Sequence, residues 1–256
     1  MCQKQVEKSH SYFTRWSDQN QESFNFLEKI EKIYGISKEN IINFAANVNP
    51  VTEPFLIDRV TAIAGNKGVE SILCVNKTDL DRAEELLRVY THAGFRVIST
   101  SAETGAGLEE LRKAIQGKLT AFTGNSGVGK SSLLNCVYPD FSLPTGEISR
   151  KIARGKHTTR VTTLFRVEEN TYIGDTPGFS MVDVAGFNLL TLDGLLESFP
   201  DIAAYAHDCR YTDCTHLCED GCKVVEAVKN GKIAPSRHES FVRLYKELKA
   251  VDPWKK

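Results

Sequence analysis

The sequence predicts an α/β fold: a mostly parallel sheet with crossover helices, followed by a small Cys/His-rich helical region. Three observations carry that reading. From Ile41 onward, short apolar runs alternate with helically periodic segments. A glycine-rich phosphate-loop pattern falls between one such run and the helix after it. Four cysteines, Cys209, Cys214, Cys218 and Cys222, crowd into one short window. The composition, 256 residues with 41% hydrophobic and 25% charged, is that of one large or two modest globular domains and excludes collagen-like, mucin-like and disordered chains. With 32 Lys or Arg against 33 Asp or Glu the formal charge is -1, which excludes a global basic field and leaves only local patches for a polyanionic partner.

Taken in order, residues 1–38 predict a helical N-terminal extension, because Phe26, Leu27, Ile30, Ile33 and Tyr34 recur at three- and four-residue steps and Gly35 can stop the helix. Strands are expected at 41–48, 71–76, 95–101, 119–124, 162–167 and 171–175, with antiparallel pairs at the edge. PFLIDRVTAIA, RAEELLRVYTHA, GLEELRKAIQ and KSSLLNCVY between them carry helical periodicity. Residues 189–206 (with LLTLDGLLESFPDI) and 236–251 read as further helices. The resulting domains are the extension 1–38, a nucleotide-binding domain 39–186 and a C-terminal metal-binding domain 187–256. The N-terminus has no apolar signal core and no run approaches the ~20 apolar residues of a membrane span, so a cytoplasmic protein without a membrane partner is expected.

Gly124, Asn125, Ser126, Gly127, Val128, Gly129, Lys130 and Ser131 match G-x-x-x-x-G-K-[ST], after the strand LTAFT and at the start of the helix that also holds Ser132. The glycines let backbone N–H groups turn toward phosphates, Lys130 reaches the outer phosphates, and the Ser131 hydroxyl is a magnesium ligand. Asn76-Lys77-Thr78-Asp79 ends the strand SILCVN. A carboxylate at Asp79 accepting from N1–H and the exocyclic amine selects guanine, since adenine has no proton on N1. Ser101 and Ala102 follow the next strand and offer N–H groups to the guanine carbonyl. Asp175-Thr176-Pro177-Gly178 ends TYIGD, placing Asp175 toward magnesium through water and the Gly178 amide toward the γ-phosphate. A bare N-K-x-D is a common solvated loop and a bare Pro-Gly a common turn; four such signals at four strand ends indicate a GTP/GDP-binding domain.

The order of the motifs is unusual. In Ras-like GTPases the phosphate loop comes first and N-K-x-D late, whereas here N-K-T-D and Ser101-Ala102 precede the loop and D-T-P-G comes last. The domain reads as a circularly permuted P-loop GTPase, and permutation costs little when the ends of a compact domain lie close. The chain then runs from the switch-like D-T-P-G segment straight into the C-terminal region, so movement of that segment is expected to shift it. In that region Cys209, Cys214 and His216, with either Cys218 or Cys222, have the donor set of a closed structural zinc site. No Gln follows Gly178, so another group must orient the attacking water.

GNSGVGKSS, RGKHTTR, DTPGF and the cysteine cluster, in permuted order after N-K-T-D, resemble the small-ribosomal-subunit-dependent GTPase A family over roughly residues 40–250. The resemblance implies hydrolysis of GTP to GDP and phosphate in late maturation of the small ribosomal subunit, with the subunit and its rRNA as partners. It assigns water positioning to His157 and zinc to Cys209, Cys214, His216 and Cys222. Thr158 or Thr159 then closes over magnesium and the γ-phosphate, with Thr159 joining Ser131 and Asp175 as a magnesium ligand. Two stretches fit RNA phosphates: 150–166, with six basic residues and no acidic one, and 223–256, with nine Lys or Arg against four Asp or Glu. The family's N-terminal OB-fold has no counterpart in residues 1–38, which hold no Pro and no Gly before Gly35. A monomer without a DNA partner is expected. The alternatives are a nucleotide-stabilised RNA-binding module and a GTPase acting on a different RNA or protein.

Overall fold

The computed structural model describes residues 12–14, 41–44, 47–124, 127–140, 162–175 and 190–250. Their strands are Tyr12–Thr14 (β1), Ile41–Phe44 (β2), Asn47–Val48 (β3), Glu70–Val75 (β4), Arg96–Ser99 (β5), Leu119–Phe122 (β6), Thr162–Glu168 (β7) and Thr171–Asp175 (β8). Their helices are Pro54–Asn66 (α1), Glu84–His92 (α2), Leu108–Ile115 (α3), Lys130–Val137 (α4), Pro200–Ala206 (α5), Lys223–Lys229 (α6) and Pro235–Lys249 (α7). The strands form one sheet in the order β1-β7-β8-β6-β2-β4, with β3 continuing the β2 side of β4 and β5 on the opposite side. Pairs β1–β7 and β7–β8 are antiparallel and the rest parallel, as expected of the edge and the centre.

Alternation along β4 builds the layers. Ile72 and Cys74 point into a core with Ile98, Leu111, Ile115, Phe122, Leu133 and Ile173, under α3 and α4. Leu73 and Val75 point the other way, against Ile57 of α1 and Val89 and Tyr90 of α2. Both faces are covered, so the strand reads as the unbroken apolar run ILCV rather than as an alternating one. Helix α1 starts with Pro54 at its first turn and ends where Gly68, at φ 66, lets the chain turn back. Its second face carries Phe55, Ala62 and Ile63 into a third core with Leu190, Phe199, Ile202, Val224, Phe241 and Leu244. The C-terminal region therefore shares α1 with the sheet domain and packs on it directly.

Two expectations differ from the structure, and others fall outside it. Residues 190–199 form turns, and helix begins only at Pro200. The cause is close approach to the end of α1: a Cβ on Gly65 would lie 3.3 Å from Ser198 Cα, and one on Gly194 would collide with the Asn66 side chain. Within the extension expected to be helical, Tyr12–Thr14 is instead a strand paired with Thr162–Leu164, an edge that satisfies the outer backbone groups of β7. The helical pattern at 26–34, the comparison of 1–38 with an OB barrel and the domain boundary at 186 lie otherwise outside the described residues. The expected strand 41–48 is present as β2 and β3.

Candidate functional site

Parallel pairing brings the C-terminal ends of β4, β5, β6 and β8 to one edge, with Val75 opposite Ser99 and Phe122 opposite Asp175. Open α/β sheets bind ligands at such an edge. The phosphate loop leaves β6 there, and its glycines at 124, 127 and 129 have φ of 149, 84 and 90. Gly129 caps α4, and a Cβ on it would lie 2.6 Å from Asn76 Nδ2, so the close approach excludes a side chain. Val128 is buried, and Lys130 donates from Nζ to Gly124 O at 2.7 Å across the loop. Ser131 is half-buried and Ser132 exposed in the first turn of α4.

Asn76 ties three motifs together. Its Nδ2 donates to Val128 O at 3.0 Å, and its Oδ1 accepts from the Ala102 N–H at 3.3 Å. Lys77, held in the left-handed region at φ 65, donates from Nζ to Gly127 O at 3.0 Å. Asp79 is exposed and accepts from Ser101 Oγ at 2.5 Å through Oδ1. The Ser101 N–H goes to Ala106 O at 3.0 Å, so this residue reaches Asp79 through its hydroxyl, while the Ala102 N–H faces Asn76. Asp175 closes β8 beside the phosphate-loop strand. Asn125, Ser126, His157, Thr158, Thr159 and Gly178 lie outside the described residues.

A second cluster forms in the C-terminal region. The donor atoms of Cys209, Cys214, His216 and Cys222 lie within 4.8 Å of one another. Cys209 Sγ is 3.5 Å from His216 Nδ1 and 3.8 Å from Cys222 Sγ, and Cys222 Sγ is 3.8 Å from the same nitrogen. A tetrahedral zinc with standard bond lengths separates two sulfurs by about 3.8 Å and a sulfur and a nitrogen by about 3.5 Å. The donors fit that ion. Cys218 is exposed and lies outside the cluster, whereas Cys222 lies within it.

The model of the RsgA GTPase family matches residues 28–185 of the chain. A small ribosomal subunit biogenesis GTPase RsgA from Alkaliphilus metalliredigens is 39% identical over 233 residues, covering 86% of this chain and 79% of the relative. The chain belongs to the RsgA GTPase family. An RsgA from Agathobacter rectalis is 41% identical, covering 80% of this chain and 68% of its own length. Among solved structures, YjeQ from Thermotoga maritima superposes with a TM-score of 0.66 at 31% identity, covering 85% of this chain and 76% of that one. YloQ, described as a circularly permuted GTPase, superposes at 0.64 and 25% identity, covering 84% and 70%. Membership makes the chain a GTP hydrolase on a circularly permuted GTPase fold, as the motif order predicted.

Around the RsgA motifs stand residues that motif reasoning missed. Glu219 organises the cysteine loop: its carboxylate accepts from the N–H groups of Thr215, Leu217 and Cys218 at 2.9, 3.0 and 3.1 Å and from the Thr215 hydroxyl. Burial opposes its charge, but these hydrogen bonds win and hold the carboxyl down at about 2. His238 Nε2 donates to His216 O at 2.7 Å, anchoring the loop to α7. Next to it Arg237 is 1% exposed and bridges Asp58 of α1 and Asp201 of α5. Arg237 is thereby withdrawn from the basic surface that the charge count of 223–256 suggested. The available signal was Asp58 itself, a carboxylate at a core-facing position of α1. No helix among the described residues is long and apolar enough to cross a membrane.

Proposed function

We propose that the chain is a cytoplasmic, GTP-timed factor in late maturation of the small ribosomal subunit, organised as a permuted GTPase domain (39–186) and a zinc-binding C-terminal domain (187–256). The observation that carries the nucleotide half is Asn76, whose amide joins the phosphate loop at Val128 to the base loop at Ala102. One side chain thus fixes the distance between the two halves of a nucleotide site. Asp79, held through one oxygen by Ser101, keeps acceptor capacity for guanine N1–H and the 2-amino group. The Ala102 N–H, 3.3 Å from Asn76 Oδ1, is shared with the guanine carbonyl. Lys77 braces the phosphate loop from outside, at Gly127.

The loop amides from Gly124 to Gly129 and the first turn of α4 direct N–H groups to the phosphates. Lys130 exchanges its loop carbonyl for the β- and γ-phosphate oxygens, and Ser131, Asp175 and Thr159 hold magnesium. Magnesium, when bound, neutralises charge that develops on the β–γ bridge. His157 orients the attacking water, taking the place of the glutamine that the segment after Gly178 lacks. Cys209, Cys214, His216 and Cys222 hold zinc with no open position, so this ion supplies structure and no chemistry. The Lys223 N–H donates to Cys209 Sγ at 3.3 Å, a contact that helps orient this ligand.

The relatives from Alkaliphilus metalliredigens and Agathobacter rectalis are named small ribosomal subunit biogenesis GTPases, which supports the subunit and its rRNA as the partner. The test is GTP turnover by the full chain, alone, with purified small subunits, and with large subunits as control. Stimulation by small subunits only is the expected result. Unstimulated turnover, with GTP still binding, would leave a GTPase whose partner is another RNA or protein.

A further inference from the structure

Behind Asp79 and Ser101 lies a stack of three residues outside the base contacts themselves. Thr100, fully buried, staples the ends of β4 and β5: its N–H donates to Val75 O at 2.7 Å and its hydroxyl to the same carbonyl at 3.3 Å. Its own carbonyl accepts twice from Thr78, from the N–H at 3.2 Å and from Oγ1 at 2.9 Å. Thr78 immediately precedes Asp79, and Thr100 immediately precedes Ser101. The two base-facing residues thus grow from a single shared carbonyl.

On the far side of Thr100 sits Gly107, at φ +71, where a Cβ would collide with the Ser99 carbonyl oxygen and lie 3.2 Å from Thr100 Cγ2. Residues 101–107 are folded back as tightly as a residue without a side chain permits. The fold-back is closed by Ser101 N–H to Ala106 O at 3.0 Å and Gly105 N–H to Ser101 O at 2.9 Å. Thr104 N–H also donates to Ser101 Oγ at 3.1 Å. With that acceptor site used, the Ser101 hydroxyl proton is aimed at Asp79 Oδ1.

We infer that Thr78, Thr100 and Gly107 are positioning residues that set guanine selectivity, by fixing Asp79 relative to Ser101 through the Thr100 carbonyl and the collapsed 101–107 loop. The inference rests on the assignment of Asp79 to the base. Hypoxanthine keeps the N1–H of guanine and lacks its 2-amino group, so the ratio of GDP to IDP affinity reads how well the second donor meets the carboxylate. A displaced carboxylate loses that ratio before it loses phosphate binding.

The experiment is equilibrium binding of GDP, IDP and XDP to the full chain and to Thr78→Val, Gly107→Ala and Asp79→Asn, with thermal midpoints recorded alongside. Thr78→Val keeps shape and the backbone hydrogen bond, so it reports even where Gly107→Ala folds poorly. Both are expected to lower the GDP/IDP ratio roughly fivefold, the worth of one ordinary hydrogen bond. Asp79→Asn is expected to turn preference toward XDP, because an amide can donate to the 2-carbonyl of xanthine. An unchanged GDP/IDP ratio in Thr78→Val and Gly107→Ala, whatever their midpoints, would reduce the stack to a structural feature and overturn the inference. Failure of Asp79→Asn to favour XDP would overturn the base assignment beneath it.

Discussion

Arg237 on α7 and Asp58 on α1, 179 positions apart in the chain, meet at 2.5 Å with Nη1 on Oδ1 and almost no exposure of either side chain. Arg237 also grips Asp201 with Nε and Nη2 at 3.0 and 2.7 Å, and its guanidinium lies over the Phe199 ring at 4.5 Å from the centroid. Tyr90 of α2 donates to the same Asp58 oxygen at 2.8 Å. Four helices thus converge on one cation. The C-terminal region is fastened to α1, so a lever acting only through the segment after Asp175 would have to work against this cluster and the core around Phe55 and Ile63. Removing the cation strands two carboxylates, one of them wholly buried, and Arg237→Ala is expected to cost about 3–5 kcal/mol of stability in urea denaturation.

The cluster also carries a sign in pH. Burial pushes the Asp58 carboxyl above its usual 3.8, against the pull of Arg237 and the hydroxyls of Ser240 and Tyr90. The folded chain then keeps this proton to higher pH than the unfolded one. The contribution is complete below the unfolded value and is lost as pH rises through the folded one. Asp58→Asn has no proton to lose. The stability of wild type relative to this variant is therefore expected to fall as pH climbs from about 4, in denaturant titrations at stepped pH. A difference independent of pH would show that Asp58 keeps an ordinary titration.

Cys218 and Cys222 separate by metal content. Cys222 sits within the donor set and Cys218 is exposed outside it, so Cys218→Ser should keep one zinc per chain and Cys222→Ser should lose it, by elemental analysis after gel filtration. Stripping zinc from wild type with a chelator should lower the thermal midpoint, because Cys222, Val224 and Phe241 belong to the core that α1 shares. Equal zinc in both serine variants would contradict the ligand assignment.

Glu219 offers a test one shell out. Glu219→Ala leaves the N–H groups of Thr215, Leu217 and Cys218 without their acceptor while removing no ligand. Zinc affinity in a competition with a chromophoric chelator is expected to drop about 10–100-fold. The circular dichroism of α5 to α7 should change little once zinc is saturating.

How far the sequence reaches depends on how local the cause is. The phosphate loop and N-K-T-D are contiguous, and the strand before each is an apolar run bounded by turn residues, so their place at one sheet edge was legible. The latch between Asn76 and Val128 spans 52 positions and follows only once β4 and β6 lie in one sheet. Residues 190–199 have helical spacing at Leu192, Leu195, Leu196 and Phe199, yet fold as turns where Gly194 passes the Asn66 side chain at the end of α1. The Arg237 cluster left only a buried-position carboxylate as its trace. A helix as short as α6, seven residues, presents too few turns for its periodicity to stand out.

In the proposed mechanism, His157 carries the step that no strand-end motif supplies. A residue that orients water acts only when the bond to the γ-phosphate is breaking, so its loss should appear in turnover and spare ground-state binding. His157→Ala is expected to hold GTP about as tightly as wild type in a fluorescent-nucleotide assay, while single-turnover hydrolysis falls by about 10²–10⁴-fold. His157→Gln restores a group able to hydrogen-bond water and should recover part of the rate. Turnover equal to wild type in both variants would remove His157 from catalysis and leave it as one polar residue among Arg154, Lys156 and Arg160 in a basic stretch of the sequence.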